Sequence, residues 1–383
     1  MGSVINILPV LYDENSHTGR FQPIKDFNQK EWLEGNNYWF KMLEELADVK
    51  FNYSETDTTL FIMYNGQSEQ ILGEGQYFAE AKTKMDRGEY KQIIFFQNEV
   101  NWDTFERLLG VEDFFYEIFK FDKRFKFIRN IFNSRFAFTK INAEFGFGCF
   151  PFQLIHNFKQ TEDVDYNVEK KFHMFSANCN VKEDRLHLYS MLERGSYWDK
   201  CNTSFFLPLF GYGNKKFRPI EYMANFGAMD IETNYVPKKL KYDNELNVKN
   251  LALQDSLECS FQVIFETRYH SHCGIVLSEK LFKGFLYKTP FITFAQHGTL
   301  KTLRELGFST FDWLIDESYD EEINDKNRLK MVLGEIERLL NTPIGEIEEK
   351  IKEHQYELDW NRERVRIFAQ LEIDKIINLF DAE

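Results

Sequence analysis

The chain has 383 residues, of which 43% are hydrophobic and 28% charged, a globular composition that excludes an intrinsically disordered protein and suffices for two cores. Its net charge of −14 excludes a surface that attracts nucleic acid or anionic membrane as a whole. The five cysteines, odd in number and never spaced as CxxC, exclude a disulfide framework and a structural zinc site and predict a reducing, cytoplasmic location.

In chain order, residues 5–10 read as a first buried strand, and Asp13-Glu14 follow it. The apolar run 4–11 is interrupted by Asn6 and Pro9 and has no basic flank, so no secretory leader is expected. No apolar stretch reaches the roughly 18 residues that cross a bilayer, so no membrane partner is expected either. Residues 29–47 are compatible with a helix, 58–64 with a strand, 77–87 with a helix and 92–97 with a strand that leads to Glu99. Asn101-Trp102-Asp103-Thr104 opens a helix at 105–109, and 125–132 is the next strand. Strands alternating with helical stretches predict an open α/β sheet with right-handed crossovers.

A second series begins at 171. It reads as a strand at 171–176, a helix at 183–194 with Leu186, Leu188, Met191 and Leu192 on one side, and a strand at 260–266. A helix at 278–287, a strand at 290–295 and a helix at 300–306 closed by Gly307 come next, and 341–380 is largely helical. Residues 212–250 show little periodicity and read as a long loop or an excursion of the second domain. The fold class is therefore α/β with two domains, 1–162 and 163–345, the boundary falling within 157–169. Residues 346–383 read as C-terminal helices.

Charge is polarised along the chain. Lys120, Lys123, Arg124, Lys126, Arg129, Arg135 and Lys140 face a single acid, Asp122, whereas acids gather at 312–325 and 346–357. The basic run is interleaved with phenylalanines, which admits two readings. One is an amphipathic element with a Phe core and a solvated basic face. The other is a phosphate-tracking surface with stacking aromatics, which puts Lys123, Arg124, Lys126 and Arg129 on double-stranded DNA. The basic patches 214–218 and 238–241 support the second. The 40 Phe, 18 Tyr and 6 Trp themselves fit AT-rich coding rather than a function of phenylalanine.

The chemistry-bearing stretch lies in the second domain. Ser278 is placed to cap a helix opening with Glu279 and Lys280, where free N–H groups and the positive dipole end favour a phosphate. A carboxylate there, Glu279, can accept hydrogen bonds from two ribose hydroxyls, and Lys280 can offset diphosphate charge. Gly298 lets the backbone approach a phosphate at the next helix. Such loops share the carboxyl ends of the strands, where ligands of open α/β sheets bind. His270, His272, Cys273 and the downstream His297 lack a second ligand pair, so no metal is predicted, and His270 reads as a loop histidine facing the ligand.

The run "IFETRYHSHCGIVLSEKLFKGFLYKTPFITFAQHGTL" resembles the donor-binding segment of GT-B glycosyltransferases, with the acid-bearing strand, the Ser-Glu-Lys helix start and the Gly turn of the fucosyltransferase pattern. "LKTLRELGFSTFDWLIDESYDE" is similar to a block of phage-encoded glycosyltransferases, and "KKFHMFSANCNVKEDRLHLYSML" to the segment that opens their donor domain with Asn178 and Arg185. The resemblance covers about 150 residues of the second domain. It implies two Rossmann-like domains with a cleft between them and a C-terminal helix crossing back. It also implies a nucleotide-sugar donor, expected to be a UDP-sugar, no metal or other cofactor, and a host-cytoplasmic setting. Glu279 would bind ribose, Lys280 and Arg185 the diphosphate, and Glu266 would lie near the donor sugar. The acceptor favoured is a hydroxymethylated base in phage DNA; the alternatives are a glycan or protein hydroxyl, as for the fucosyltransferases, or a non-catalytic nucleotide- or DNA-binding protein of the same fold. An inverting enzyme needs a carboxylate base from the first domain, for which Glu99 is the first candidate and Asp13 the second. Retaining relatives carry two acids closer together than Glu266 and Glu279, so the stereochemistry stays open.

Overall fold

The computed structural model describes residues 3–12, 21–23, 44, 49–64, 71–97, 105–129, 139–145, 151–178, 183–205, 253–266, 269 and 274–380. They divide into two units, Met1–His156 with Ser271–Ser278 and Arg366–Glu383, and Asn157–His270 with Glu279–Val365.

The first unit is built on β1 (Ser3–Tyr12), β2 (Phe21–Pro23), β3 (Val49–Tyr53), β4 (Thr58–Tyr64), β5 (Tyr90–Gln97), β6 (Phe125–Arg129) and β7 (Ala143–Phe145). Their order is β2-β1-β4-β5-β6-β7, with β3 also on β1. β2 runs antiparallel to β1, and the other pairs are parallel. Helices α1 (Gly75–Asp86) and α2 (Phe105–Phe119) supply the core with the sheet. Leu60, Ile62, Ile93, Phe95, Phe125 and Phe127 meet Phe78, Met85, Val111, Phe115 and Phe119 there. Phe119 stacks on Phe125 at 4.0 Å, and Phe115 meets Phe78 edge-on at 5.1 Å, the offset and T-shaped geometries that ring quadrupoles favour. The phenylalanines named here are thus interior packing, whereas Phe121 is exposed. Val111, Phe115 and Phe119 recur every four residues on the buried side of α2, which carries that helix ten residues beyond the expected stop at 109.

Further along the chain come α3 (Pro151–Gln160), β8 (Phe172–Asn178), α4 (Glu183–Arg194), β9 (Cys201–Phe205) and β10 (Cys259–Phe265). They are followed by α5 (Glu279–Leu286), β11 (Phe291–Phe294), α6 (Thr299–Glu305), α7 (Asp325–Asn341), α8 (Ile344–Glu353) and α9 (Gln355–Phe380). The second sheet has the order β11-β10-β8-β9, parallel throughout. β9, a short polar run, is the strand that sequence patterning misses. α5 lies close on this sheet, because a Cβ at Gly284 would stand 2.5 Å from the Phe291 ring.

The last helix serves both units in turn. Its residues to Val365 belong to the second, where Asn361 both donates to and accepts from the Ser309 backbone at 2.8 Å. There Arg364 donates to the Leu306 carbonyl at 2.7 Å. Its end belongs to the first unit, where the Phe380 ring packs on Phe51 and Phe61 at 5.5 and 5.6 Å. Among the described residues no helix is long and apolar enough to cross a membrane.

Candidate functional site

In the second sheet β8 and β9 are neighbours, and the chain then returns to the other side of β8 to form β10 and β11. The order reverses between β8 and β10, and a crevice opens at the carboxyl ends of strands where this happens. Glu266 directly follows β10 there and is 1% exposed. Asn178 ends β8; its side chain is outside the described set. Arg185 is buried in the first turn of α4, with its guanidinium 5.5 Å from the centre of the Phe265 ring. Phe265 stacks in turn on Phe294, the last residue of β11, at 4.3 Å. Arg185 shares that first turn with Glu183 and Asp184, acids that suit the positive end of the helix dipole.

α5 begins with Glu279 and Lys280, both partly exposed and paired at 3.5 Å. Ser278 just before it is buried. The structure thus brings Arg185 and Glu266 to one sheet edge of the second unit and puts Glu279 and Lys280 at the head of one helix.

The Gly298 turn has a different role from the one expected of it. Gly298 is left-handed, with φ +79°, which suits glycine. Its N–H donates to the Asp320 carbonyl at 2.8 Å. The next free amides of α6, those of Leu300 and Lys301, donate to the Asp320 carboxylate at 2.9 Å each. The N–H groups that a phosphate would need are already satisfied from within the chain. Burial pushes the Asp320 carboxyl above the usual carboxylate range, against the pull of those two amides.

Asp320 belongs to the acidic run 312–325, which is internal wiring to a large extent. Glu317 accepts from Thr310 Oγ1, the Phe311 amide and Arg304 at 2.6 to 2.8 Å, and burial raises its pKa too. Asp316 caps the 3-10 turn Glu317–Glu321 by accepting from the Ser318 amide. Arg328 on α7, 1% exposed, donates to the carbonyls of Ala295, Tyr269 and Glu322. Nothing local in the sequence signals the reach of Asp320 to α6 or of Arg328 to Ala295 and Tyr269, since these partners lie about 20 to 60 residues away.

The basic run of the first unit is corrected most sharply. Lys126 is buried in β6, and its ammonium donates to the Leu379 carbonyl at 3.1 Å. Gln92 donates to the same carbonyl at 3.1 Å, so the two side chains cap the carboxyl end of α9. Arg129, at the end of β6, is wholly buried. Arg124 stands at the amino end of β6 and is held by Asp122 at 2.7 Å, Asp86 at 2.9 Å and the Met85 carbonyl at 3.1 Å. Only Lys123 of the four is exposed and outside these bonds. A sheet covered on both faces buries both alternations of a strand, so Lys126 and Arg129 cannot track a phosphate backbone.

Asp13, Glu99, His270 and the segment 212–250 lie outside the described residues. Among the described residues no group of three or more His, Cys, Asp or Glu is arranged to hold a metal. Cys201 and Cys259 are buried free thiols, and burial pushes Cys201 up to about 12.

No protein-family model matches the chain, and no curated protein matches it. Among solved structures, it is similar to a DNA-modifying β-glucosyltransferase determined with and without uridine diphosphoglucose. The two are 11% identical with a TM-score of 0.50, over 99% of this chain and 100% of that one. It is also similar to the UDP-forming α,α-trehalose-phosphate synthase from Burkholderia xenovorans, at 11% identity and a TM-score of 0.44, over 85% of this chain and 74% of that one. The likeness to the β-glucosyltransferase spans both chains from end to end and is one of fold: mixed α/β, parallel sheets, the GT-B architecture of two Rossmann-like domains.

Proposed function

We propose that the protein is a glycosyltransferase that takes a UDP-sugar as donor and transfers its sugar to a hydroxyl acceptor. The observation that carries this is the buried Arg185 in the first turn of α4, at the switch-point edge that also holds Glu266. In this reading Arg185 and Lys280 offset the diphosphate, Glu279 receives the ribose hydroxyls and Glu266 lies near the sugar. These side chains and helix ends carry the diphosphate charge, and the proposal includes no metal. Ser278, Asn178 and His270 complete the donor-binding set proposed. Gly298 contributes the turn shape only, because its helix is capped by Asp320.

The first domain is proposed to receive the acceptor, with Glu99, and after it Asp13, as the base that removes the acceptor proton. The acceptor favoured is a hydroxymethylated base in double-stranded DNA. Its support is the fold-level likeness to an enzyme described as DNA-modifying and crystallised with uridine diphosphoglucose. Such an acceptor must be extruded from the duplex at a cost of a few kcal/mol.

The test is a donor screen of the purified protein with UDP-, GDP- and ADP-sugars, on plain and hydroxymethylcytosine-containing DNA, read by nucleoside mass spectrometry. A hexose mass gain confined to the modified DNA with a UDP-sugar is expected, and Glu279→Ala removes donor binding and turnover together. Donor hydrolysis without DNA modification moves the acceptor to a glycan or protein hydroxyl. Absence of binding to every nucleotide sugar overturns the proposal.

A further inference from the structure

Arg328 makes more bonds than its place in a helix requires. It lies in the first turn of α7 with 1% of its surface exposed. Its Nε donates to the carbonyl of Ala295, one residue past β11, at 3.2 Å. One Nη donates to the Glu322 carbonyl at 2.9 Å. The other donates to the carbonyl of Tyr269, three residues beyond Glu266, at 2.7 Å and to the Asp325 carboxylate at 2.6 Å. The guanidinium also lies over the Tyr269 ring, 4.5 Å from its centre. The Tyr269 hydroxyl donates to the Asp325 carbonyl at 2.8 Å.

The aromatic contacts continue from there. The Tyr269 ring is 6.5 Å from Phe294, Phe294 stacks on Phe265, and Phe265 carries the Arg185 guanidinium. One planar, five-donor group therefore fastens the chain leaving β10 to the chain leaving β11 and supports the ring stack beneath Arg185. A lysine offers no such fork.

We propose that Arg328 is a positioning residue of the donor site: it sets the spacing between the Glu266 edge of β10 and the Gln296–Gly298 turn after β11, and through Tyr269 it holds the aromatic platform on which Arg185 rests. This rests on the donor-site reading above. Its specific consequence concerns the sugar. Glu266 is on the strand end that Arg328 fixes through Tyr269, whereas Glu279 and Lys280 are on α5, outside the bonds of Arg328. Loosening the clasp should cost contacts to the sugar more than contacts to the nucleotide.

The experiment is calorimetric titration of the full chain with UDP-glucose and, separately, UDP, for wild type, Arg328→Lys and Asp325→Asn. Asp325 is about one-third exposed, so its variant keeps the fold if the buried Arg328→Lys does not; circular dichroism checks both. The wild type is expected to bind UDP-glucose more tightly than UDP. In the folded variants UDP-glucose affinity should fall about tenfold or more for Arg328→Lys and about threefold for Asp325→Asn, while UDP affinity falls less, so that the preference shrinks. A merely structural residue would weaken both ligands in proportion. Folded variants with the wild-type preference intact overturn the positioning role alone. A wild type that binds neither UDP-glucose nor UDP overturns the donor-site reading and the proposal with it.

Discussion

The basic run that leads into β6 and the acidic run that leads into α7 look alike in the sequence, each a block of one charge that invites a surface role. The structure draws members of both inward, but to different ends. Lys126 and Arg124 fasten the first unit at the carboxyl end of α9 and at the amino end of β6. Neither stands at the carboxyl edge of the sheet, where ligands of such folds bind. Asp320 and Arg328 fasten the carboxyl edge of the second sheet, next to Glu266 and the Gly298 turn. A charge block therefore reports a binding surface only where its side chains stay outside the packing, and Arg129, at the carboxyl end of β6 yet wholly buried, does not.

Asp320→Ala is the largest expected break in this picture. It leaves two amides of α6, one buried and one partly buried, without their charged acceptor, and hydrogen bonds to charged groups contribute about 1.5 to 3 kcal/mol each. With partial rescue by water, a loss of about 3 kcal/mol is expected in urea denaturation. A change below about 1 kcal/mol would mean that the cap does not hold the turn.

Lys126→Met comes next. It keeps the length of the buried stem and removes one of the two donors to the Leu379 carbonyl, at an expected cost of about 1 to 2 kcal/mol. DNA affinity and its salt dependence should not move, because the ammonium is inside the first unit. A salt slope that falls by about one would restore Lys126 to the surface and undo the contrast with the acidic run.

Much of the framework is legible in the sequence where burial is two-sided and local. The apolar runs at β1, β4, β5, β6 and β10 stand out because a parallel sheet covered on both faces needs them continuous. The Glu183–Arg194 helix, α4, has the expected bounds, since its apolar positions share one side. β2, β3, β7 and β9 escape notice because they are short and broken by polar residues or proline, whereas the equally short β11 is almost wholly apolar. Of the site, Glu266, Arg185, Glu279 and Lys280 are named by the sequence, and the structure brings the first two to one edge. Their supports are not legible: Asp320 meets α6 and Arg328 meets Tyr269 only once the chain has folded, and both look like ordinary members of a charged run.

A pH titration sharpens the comparison on the acidic side. Burial holds the Asp320 carboxyl above its unfolded value, so the folded state keeps that proton to higher pH. Stability from this group is therefore present at low pH and declines as pH rises from the unfolded carboxylate value of about 4 through the raised folded value. Asp320→Asn lacks this slope. The stability of wild type relative to Asp320→Asn should increase as pH is lowered from 7 towards 4. A difference that stays constant with pH would show that Asp320 titrates alike in the folded and unfolded chain.

The smallest expected effect is that of Arg124→Ala. Its guanidinium joins Asp122, Asp86 and the Met85 carbonyl, which holds both carboxyls below the usual range through hydrogen bonds, from Arg124 for Asp122 and chiefly from Lys82 for Asp86. Yet the side chain is 45% exposed, and solvent screens such pairs to at most about 1 kcal/mol. A loss of that size or less is expected in denaturation, because Lys82 still pairs with Asp86 at 2.5 Å and with Asp122 at 3.7 Å. Combined with Lys123→Ala, the substitution also removes the two cations of the expected DNA-binding set that are exposed. If duplex DNA reaches this protein by another surface, the affinity of the double variant and its dependence on salt match wild type. A drop in both would place the duplex at the amino edge, and would mean that the basic run binds DNA despite the burial of Lys126 and Arg129.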